Sequence, residues 1–291
     1  MIFVSFGRPI FDVTVKLNPR EVFTSIGGVE TNVAINAAVL GEDAILLGSI
    51  GRDTLYEKIV KLGKELKKLH LDFVQITDKK SGVIVLIIGE NERVIYKFVD
   101  YGASESFRLT PPIQQEIERI SRKGIFFSSL FNANSPDLKV EWQKAINTAK
   151  SSSLKIALSI AGIDTIKAEE LNSILDFVEQ MADFVFMNRD ESEKINPYRF
   201  SSALVVITDE SNPAIVRFGG KEWRIAPIKS LSVARPYSIG AGDAFATAFL
   251  IKYLKDGEIE KAIRYAHQIA AIKLTLPTSH LIPKILEEVV E

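Results

Sequence analysis

Ser238-Ile239-Gly240-Ala241-Gly242-Asp243, followed at once by Ala244-Phe245-Ala246-Thr247-Ala248-Phe249-Leu250, runs a flexible glycine turn straight into an apolar, small-residue helix. Small residues let the backbone close tightly, and the free N–H groups of the first helical turn, with the positive end of the helix dipole, make a cradle for an anion. Asp243 stands at the edge of that cradle. A carboxylate there can take the proton of an attacking hydroxyl while Gly240, Ala241 and Gly242 hold the charge of a phosphoryl group in transit, which is the chemistry of a kinase. The same residues also fit a plain glycine turn with Asp243 as helix N-cap.

The rest of the chain narrows the choice. Its 291 residues suffice for one large α/β domain with a small appendage, and 46% hydrophobic with 25% charged residues is the composition of an ordinary globular protein. A formal net charge of −1 argues against nucleic acid as partner, which a basic excess would meet. There is no cysteine, so disulfides, thiolate nucleophiles and zinc–thiolate sites are excluded. His70, His267 and His280 are too scattered for a three-histidine metal site. Met1 to Phe6 is short, lacks a basic lead and meets Gly7-Arg8-Pro9 at once, so it reads as a strand and not a signal peptide. No apolar stretch is long enough to span a bilayer, and a cytoplasmic protein acting on a small molecule is expected.

Along the chain, Ile10 to Leu17 alternates as an edge strand would, and Asn32 to Leu40 reads as a helix closed by Gly41. Ala44 to Ile50 is a strand, Tyr56 to Leu69 a helix with Ile59, Leu62, Leu66 and Leu69 on one side, and Phe73 to Ile76 a short strand. Residues 82–88 and 93–99 then form a β-hairpin that breaks the rhythm. From Pro111 helices and strands alternate again, a second hairpin occupies 214–218 and 222–227, and three helical stretches finish the chain. This order predicts a three-layer αβα fold, one domain over 1–291 with a mostly parallel central sheet, plus a small β-sheet lid from about 8–30 and 82–104. Ligands gather at the C-terminal ends of such strands, where Asn188 and Thr208 lie.

Four segments in order resemble the ribokinase-like, or PfkB, carbohydrate kinase family: Gly27-Gly28-Val29-Glu30-Thr31-Asn32-Val33-Ala34, Gly48-Ser49-Ile50-Gly51-Arg52-Asp53, Asn188-Arg189-Asp190-Glu191, and the Gly240 to Asp243 turn. The resemblance implies an ATP-dependent kinase that phosphorylates a hydroxymethyl group of a ribose, fructose, ketodeoxygluconate or nucleoside-class substrate. It makes Asp243 the general base and gives Asp12, Gly27, Gly28 and Asn32 to the substrate. Asn188 and Glu191 go to the Mg-ATP site, with Glu191 acting on Mg2+ through water, and Thr208 and His267 to the nucleotide. Asp12, an acidic residue on an apolar strand, can accept two hydroxyl hydrogen bonds from a polyol; the alternative is an exposed residue on an edge strand. Asn188 and Glu191 lie one helical turn apart, which suits shared action on a metal and equally a solvated helix start.

Some residues depart from the pattern. Tyr237 and Ser238 replace a usual aspartate and threonine, and because that aspartate helps hold an activating monovalent cation in the family, potassium activation is doubtful here. Glu210 stands where a glycine is usual after Thr208, and His267 where asparagine is frequent. These departures keep open a non-catalytic sugar or nucleotide sensor on a kinase scaffold. Arg93, Tyr96, Lys97 and Arg108 are candidates for reading a charged substrate, and the exposed edge of the hairpin invites a second copy, so a homodimer is expected.

Overall fold

The computed structural model describes residues 1–18, 20–89, 94–121, 124–227 and 237–283. Its centre is β1 (Ile2–Phe6), a run of apolar residues flanked in parallel by β4 (Asp43–Gly51) and β9 (Gly124–Ser129). Beyond β9 the sheet continues through β10 (Lys155–Ser159), β11 (Phe184–Asn188) and β12 (Leu204–Thr208), all parallel, and ends in the antiparallel hairpin β13 (Ala214–Phe218) and β14 (Lys221–Ile225). On the other side β5 (Leu69–His70) and β6 (Val74–Thr77) both pair with β4.

These strands lack polar alternation because both faces of the sheet are covered. Phe3, Ala44, Leu46, Ile125, Phe127 and Phe186 face one layer with α1 (Val29–Val39), α2 (Thr54–Glu65), α7 (Ala241–Asp256) and α8 (Ile259–Leu274). Their chain neighbours Val4, Ile45, Phe126 and Val185 face the other, with α3 (Pro111–Ile120), α4 (Pro136–Ser151) and α5 (Ala168–Met181). Trp142 of α4, fully buried, fills the centre of that second layer. Starts and stops follow local chemistry: the Asp53 carboxylate accepts from the Leu55 N–H to cap α2, Pro136 opens α4, and Gly257 ends α7 in the left-handed region.

A separate four-stranded sheet has the order β3 (Arg20–Gly27), β2 (Ile10–Leu17), β7 (Ser81–Ile88), β8 (Val94–Gly102). Four expectations change here. Ile10–Leu17 is not an edge: it is hydrogen-bonded on both sides, because residues 20–27, whose apolar positions alternate too weakly to stand out, form an unanticipated partner strand. The first helix begins at Val29, directly after Gly28 turns the chain, so Asn32 lies within it and not at its start. The second helix ends at Glu65, since Leu69 is drawn into pairing with Ala44. Asp243 is not an N-cap: Gly240 occupies that position and Asp243 sits inside the first turn of α7. Of the three final helical stretches two are described, α7 and α8; residues 284–291 and Arg93 lie outside the described residues. Among the described residues no helix is long and apolar enough to cross a membrane.

Candidate active site

Past the C-terminal end of β1 the chain crosses into the small sheet, and the gap between the two sheets is a cavity of about 270 Å³. Its floor carries Asp12, Gly28, Glu30, Asn32, Gly240 and Asp243, while Ile84, Leu86, Lys97 and Tyr101 from β7 and β8 line it from the small sheet. The two glycine-rich segments, more than 200 residues apart, meet here because α1 packs on α7: the Asn32 amide donates to the Asp243 carboxylate at 2.7 Å across a sequence separation of 211.

Burial pushes the Asp243 carboxyl up to about 7, with the charges of Glu30 and Asp12 adding to it, while the Asn32 hydrogen bond and Lys273 pull it down. A base with an affinity near neutral pH is matched to taking a proton from an alcohol and passing it on. Asp12, 6% exposed, is likewise raised to about 6 by desolvation, against the hydrogen bond it accepts from the Ser279 hydroxyl. Ser279 in turn contacts the Ser25 hydroxyl at 2.9 Å, so the Asp12 carboxylate is linked to β3 and to the C-terminal segment together. Gly27 backs directly onto the Asp12 carboxylate. Gly28, at φ +98°, brings the chain against the Arg8 carbonyl, a conformation and an approach closed to other residues.

Arg8 and Glu30 carried no signal by themselves in the sequence. Glu30 is fully buried, its carboxylate accepting from the Ser129 hydroxyl and, at 2.7 Å, from the Asn132 amide. The Arg8 guanidinium, 3.7 Å over the Tyr101 ring, donates through Nη2 to Asn134 at 2.7 Å and has Glu105 3.7 Å from Nη1. Its Nε and Nη1 hydrogens have no hydrogen-bond acceptor among the described residues. Of the candidates for reading a charged substrate, Lys97 lines the cavity, with its ammonium 5.2 Å from the Phe131 ring. Tyr96 points outward on β8, and Arg108 pairs with Asp137 at 3.5 Å.

Asn188, Glu191, Thr208 and His267 lie outside this cavity. Asn188 and Thr208 are register partners at the C-terminal ends of β11 and β12. Asn188 and Glu191 form a reciprocal capping box on α6 (Arg189–Lys194): the Asn188 side chain accepts from the Glu191 N–H, and the Glu191 carboxylate accepts from the Asn188 N–H, both at 2.8 Å. Burial holds the Glu191 carboxyl above its usual range. His267 is buried, Nε2 3.2 Å from the Ile225 carbonyl and its ring edge-on to Phe245, away from the cavity that contains Asp243. Ala241 and Gly242 form the first turn of α7, and the space beside Gly242 is open.

Comparison with known proteins agrees with this geometry. The sequence model of the pfkB family carbohydrate kinases matches residues 6–281. Ribokinase of Bacillus subtilis is 25% identical over 253 residues, covering 85% of this chain and 80% of that protein. Cytidine kinase of Thermococcus kodakarensis is 26% identical over 275 residues, covering 90% and 91%. Among solved structures, adenosine kinase from Sinorhizobium meliloti superposes with a TM-score of 0.82 at 16% identity over 99% of this chain and 97% of that one. Aminoimidazole riboside kinase from Salmonella enterica, complexed with aminoimidazole riboside and an ATP analogue, gives 0.81 at 15% identity over the whole of both chains. With a glycine turn, a half-buried carboxylate and a sugar-sized cavity in one place, and the family match running from Phe6 to Leu281, the chain belongs to the pfkB family of carbohydrate kinases, phosphotransferases with an alcohol group as acceptor.

Proposed function

We propose that the protein transfers the terminal phosphoryl group of ATP to a hydroxymethyl group of a sugar or nucleoside-like acceptor that also carries an anionic group. The observation that supports the transfer is the half-buried Asp243 carboxylate in the first turn of α7, facing a cavity of sugar size. In this reading Asp243 takes the proton as the acceptor oxygen bonds to phosphorus and the bond to the departing diphosphate breaks. The N–H groups at Gly240 and Gly242 receive the charge that builds on the phosphoryl oxygens, joined by that of Ala241 once it is released from the Ser238 carbonyl, to which it donates at 3.1 Å. Asp12, Gly27, Gly28 and Asn32 fix the acceptor, and β2, β3, β7 and β8 act as the lid that keeps water, a competing acceptor, out. The open face at Gly242 fits a phosphate chain, with Thr208 and Asn188 on the nucleotide side. Glu191, one carboxylate reached through water, fits Mg2+, which keeps much of its hydration and supplies charge neutralisation when bound; His267, held on the Ile225 carbonyl and against Phe245, serves the nucleotide side through packing alone.

The anionic group is argued from Arg8 and Lys97. Desolvating a guanidinium while leaving two of its N–H edges unbonded is costly unless a ligand completes them, and a carboxylate or phosphate does so bidentately. ADP release should be measured over a panel of neutral sugars, nucleosides, sugar acids and sugar phosphates. The highest kcat/KM is expected for an acidic member, and Arg8→Met should lower it about 10- to 100-fold, the equivalent of roughly 1.5–3 kcal/mol of charge-assisted hydrogen bonding, with little effect on neutral acceptors. A neutral best acceptor removes the anionic clause. Sugar binding without any ADP release supports the sensor instead.

We also propose a homodimer formed along β8. This outer strand of the lid exposes Val94, Ile95, Tyr96 and Phe98, each 47–62% accessible, and a row of unpaired backbone groups suited to a second copy. Sedimentation equilibrium should return twice the 32.4 kDa chain mass, and Ile95→Lys should halve it. A monomeric wild type would overturn this.

A further inference from the structure

Lys273, in the last turn of α8, is a fully buried lysine that the transfer chemistry above leaves unused. Its ammonium donates to the Tyr237 carbonyl at 2.7 Å and to the Leu276 carbonyl at 3.4 Å. The Tyr237 N–H returns to the Leu274 carbonyl at 2.9 Å, so the backbone at 237 is tied twice to the end of α8. Both tethered segments lead into the site. Residues 237–240 run directly into the first turn of α7, and residues 276–279 end with the Ser279 carbonyl pressed against Gly240 and the Ser279 hydroxyl on Asp12. Carbonyl oxygens around a single buried positive charge are the surroundings a desolvated potassium or ammonium ion takes, and here the ion is covalently part of the chain.

We propose that the Lys273 ammonium is a built-in monovalent cation, which clamps residues 237–240 to 276–279 and adds positive charge behind the anion cradle, so that phosphoryl transfer requires no such ion from solution. Lys273 is therefore a positioning residue, acting through the cradle and Asp243 without touching substrate. The role rests on the kinase reading, whereas the clamp does not. Electrostatics agree with the geometry. Burial lowers the Lys273 ammonium to about 8, the Asp243 charge opposes that fall, and Lys273 in return pulls the Asp243 carboxyl down. Asp243 also faces Glu30 of α1 and Asp12 of β2, and Lys273 is sensed by His280, so those groups share the titration.

The test compares wild type with Lys273→Met in a tetramethylammonium chloride background, with KCl, NH4Cl or LiCl added at constant ionic strength. Melting temperature is read without substrates, and kcat, KM and the pH profile with them. Wild type should show the same melting temperature and kcat in every salt. The Met variant should lose about 10-fold or more in kcat in tetramethylammonium, less than the ~10²–10³ lost with a direct anion-hole donor, while acceptor KM moves less. Its acid limb should shift above that of wild type, and potassium or ammonium, but not lithium, should raise its melting temperature and restore both rate and limb. Potassium activation of the wild-type enzyme overturns the proposal, and that measurement stands even where the variant does not fold. A Met variant with wild-type kcat and an unmoved limb overturns it as well. Should no acceptor be phosphorylated by wild type, the kinase reading fails, and the salt-specific melting of the variant still decides the clamp.

Discussion

Asp243→Asn should lower kcat about 10²- to 10⁴-fold, the usual worth of a positioned general base, while acceptor and nucleotide affinity change little. The amide keeps the size of the side chain but cannot take a proton from an alcohol. Stability separates this effect from damage. Because the folded carboxyl is raised to about 7 from its ordinary 3.8, its contribution to stability is fully present below 3.8 and is lost as pH rises through 7. At pH near 8 the wild-type protein carries a partly desolvated, unfavourable carboxylate that the Asn variant lacks, so the variant should melt at least as high as wild type. The same titration acts on catalysis with the opposite sign: kcat/KM of wild type should fall as pH drops through about 7, as the base becomes protonated, with Asp12, raised to about 6, adding to the fall below that. Stopped assays over pH with differential scanning calorimetry check both. A variant with near-normal turnover would remove Asp243 from the chemistry.

Gly240→Ala should be the more damaging change to the fold at this site. Gly240 has φ +79°, where a side chain costs about 1–2 kcal/mol, and an added Cβ would stand 1.8 Å from the Ser279 carbonyl oxygen, a backbone atom. Either the α7 N-terminus or the 276–279 segment must move. A melting temperature lower by about 4 °C or more is expected, with kcat/KM down by ~10²-fold because the cradle donors and Asp12 are displaced together. Gly242→Ala is the contrast. A Cβ there meets nothing and lies within a helix, where Ala is favoured over Gly by about 0.5–1 kcal/mol. This variant should melt no lower than wild type yet turn over more slowly, because the methyl group enters the space assigned to phosphate. Normal turnover by Gly242→Ala would place the phosphate elsewhere.

What could be read from sequence was what is local. The glycine turn before α7, the alternation of strands and helices, and the hairpin at β7 and β8 are each encoded within a few residues, so their places in the fold were legible. Strand β3 was not, because Arg20, Val22 and Thr24 face outward and its pairing with β2 decides its course more than its own pattern. Missing β3 is what made Ile10–Leu17 look like an edge. The residues that complete the site were hidden for the same reason at longer range. Ser279 reaches Asp12 across 267 positions and Ser129 reaches Glu30 across 99, and a serine or a glutamate alone announces neither contact. By its place near the end of a helix Lys273 gives no sign of burial, since a lysine there is ordinarily a solvated cation. Only the folding of residues 237 and 276 around it turns it inward.

The tether between Ser279 and Asp12 joins residues 267 positions apart. During synthesis the strands of both sheets leave the ribosome well before residue 279, so the Asp12 carboxylate gains this anchor only late. A chain cut before Ser279 should therefore hold Asp12 loosely, and weaker acceptor binding by such a truncation is the expected readout.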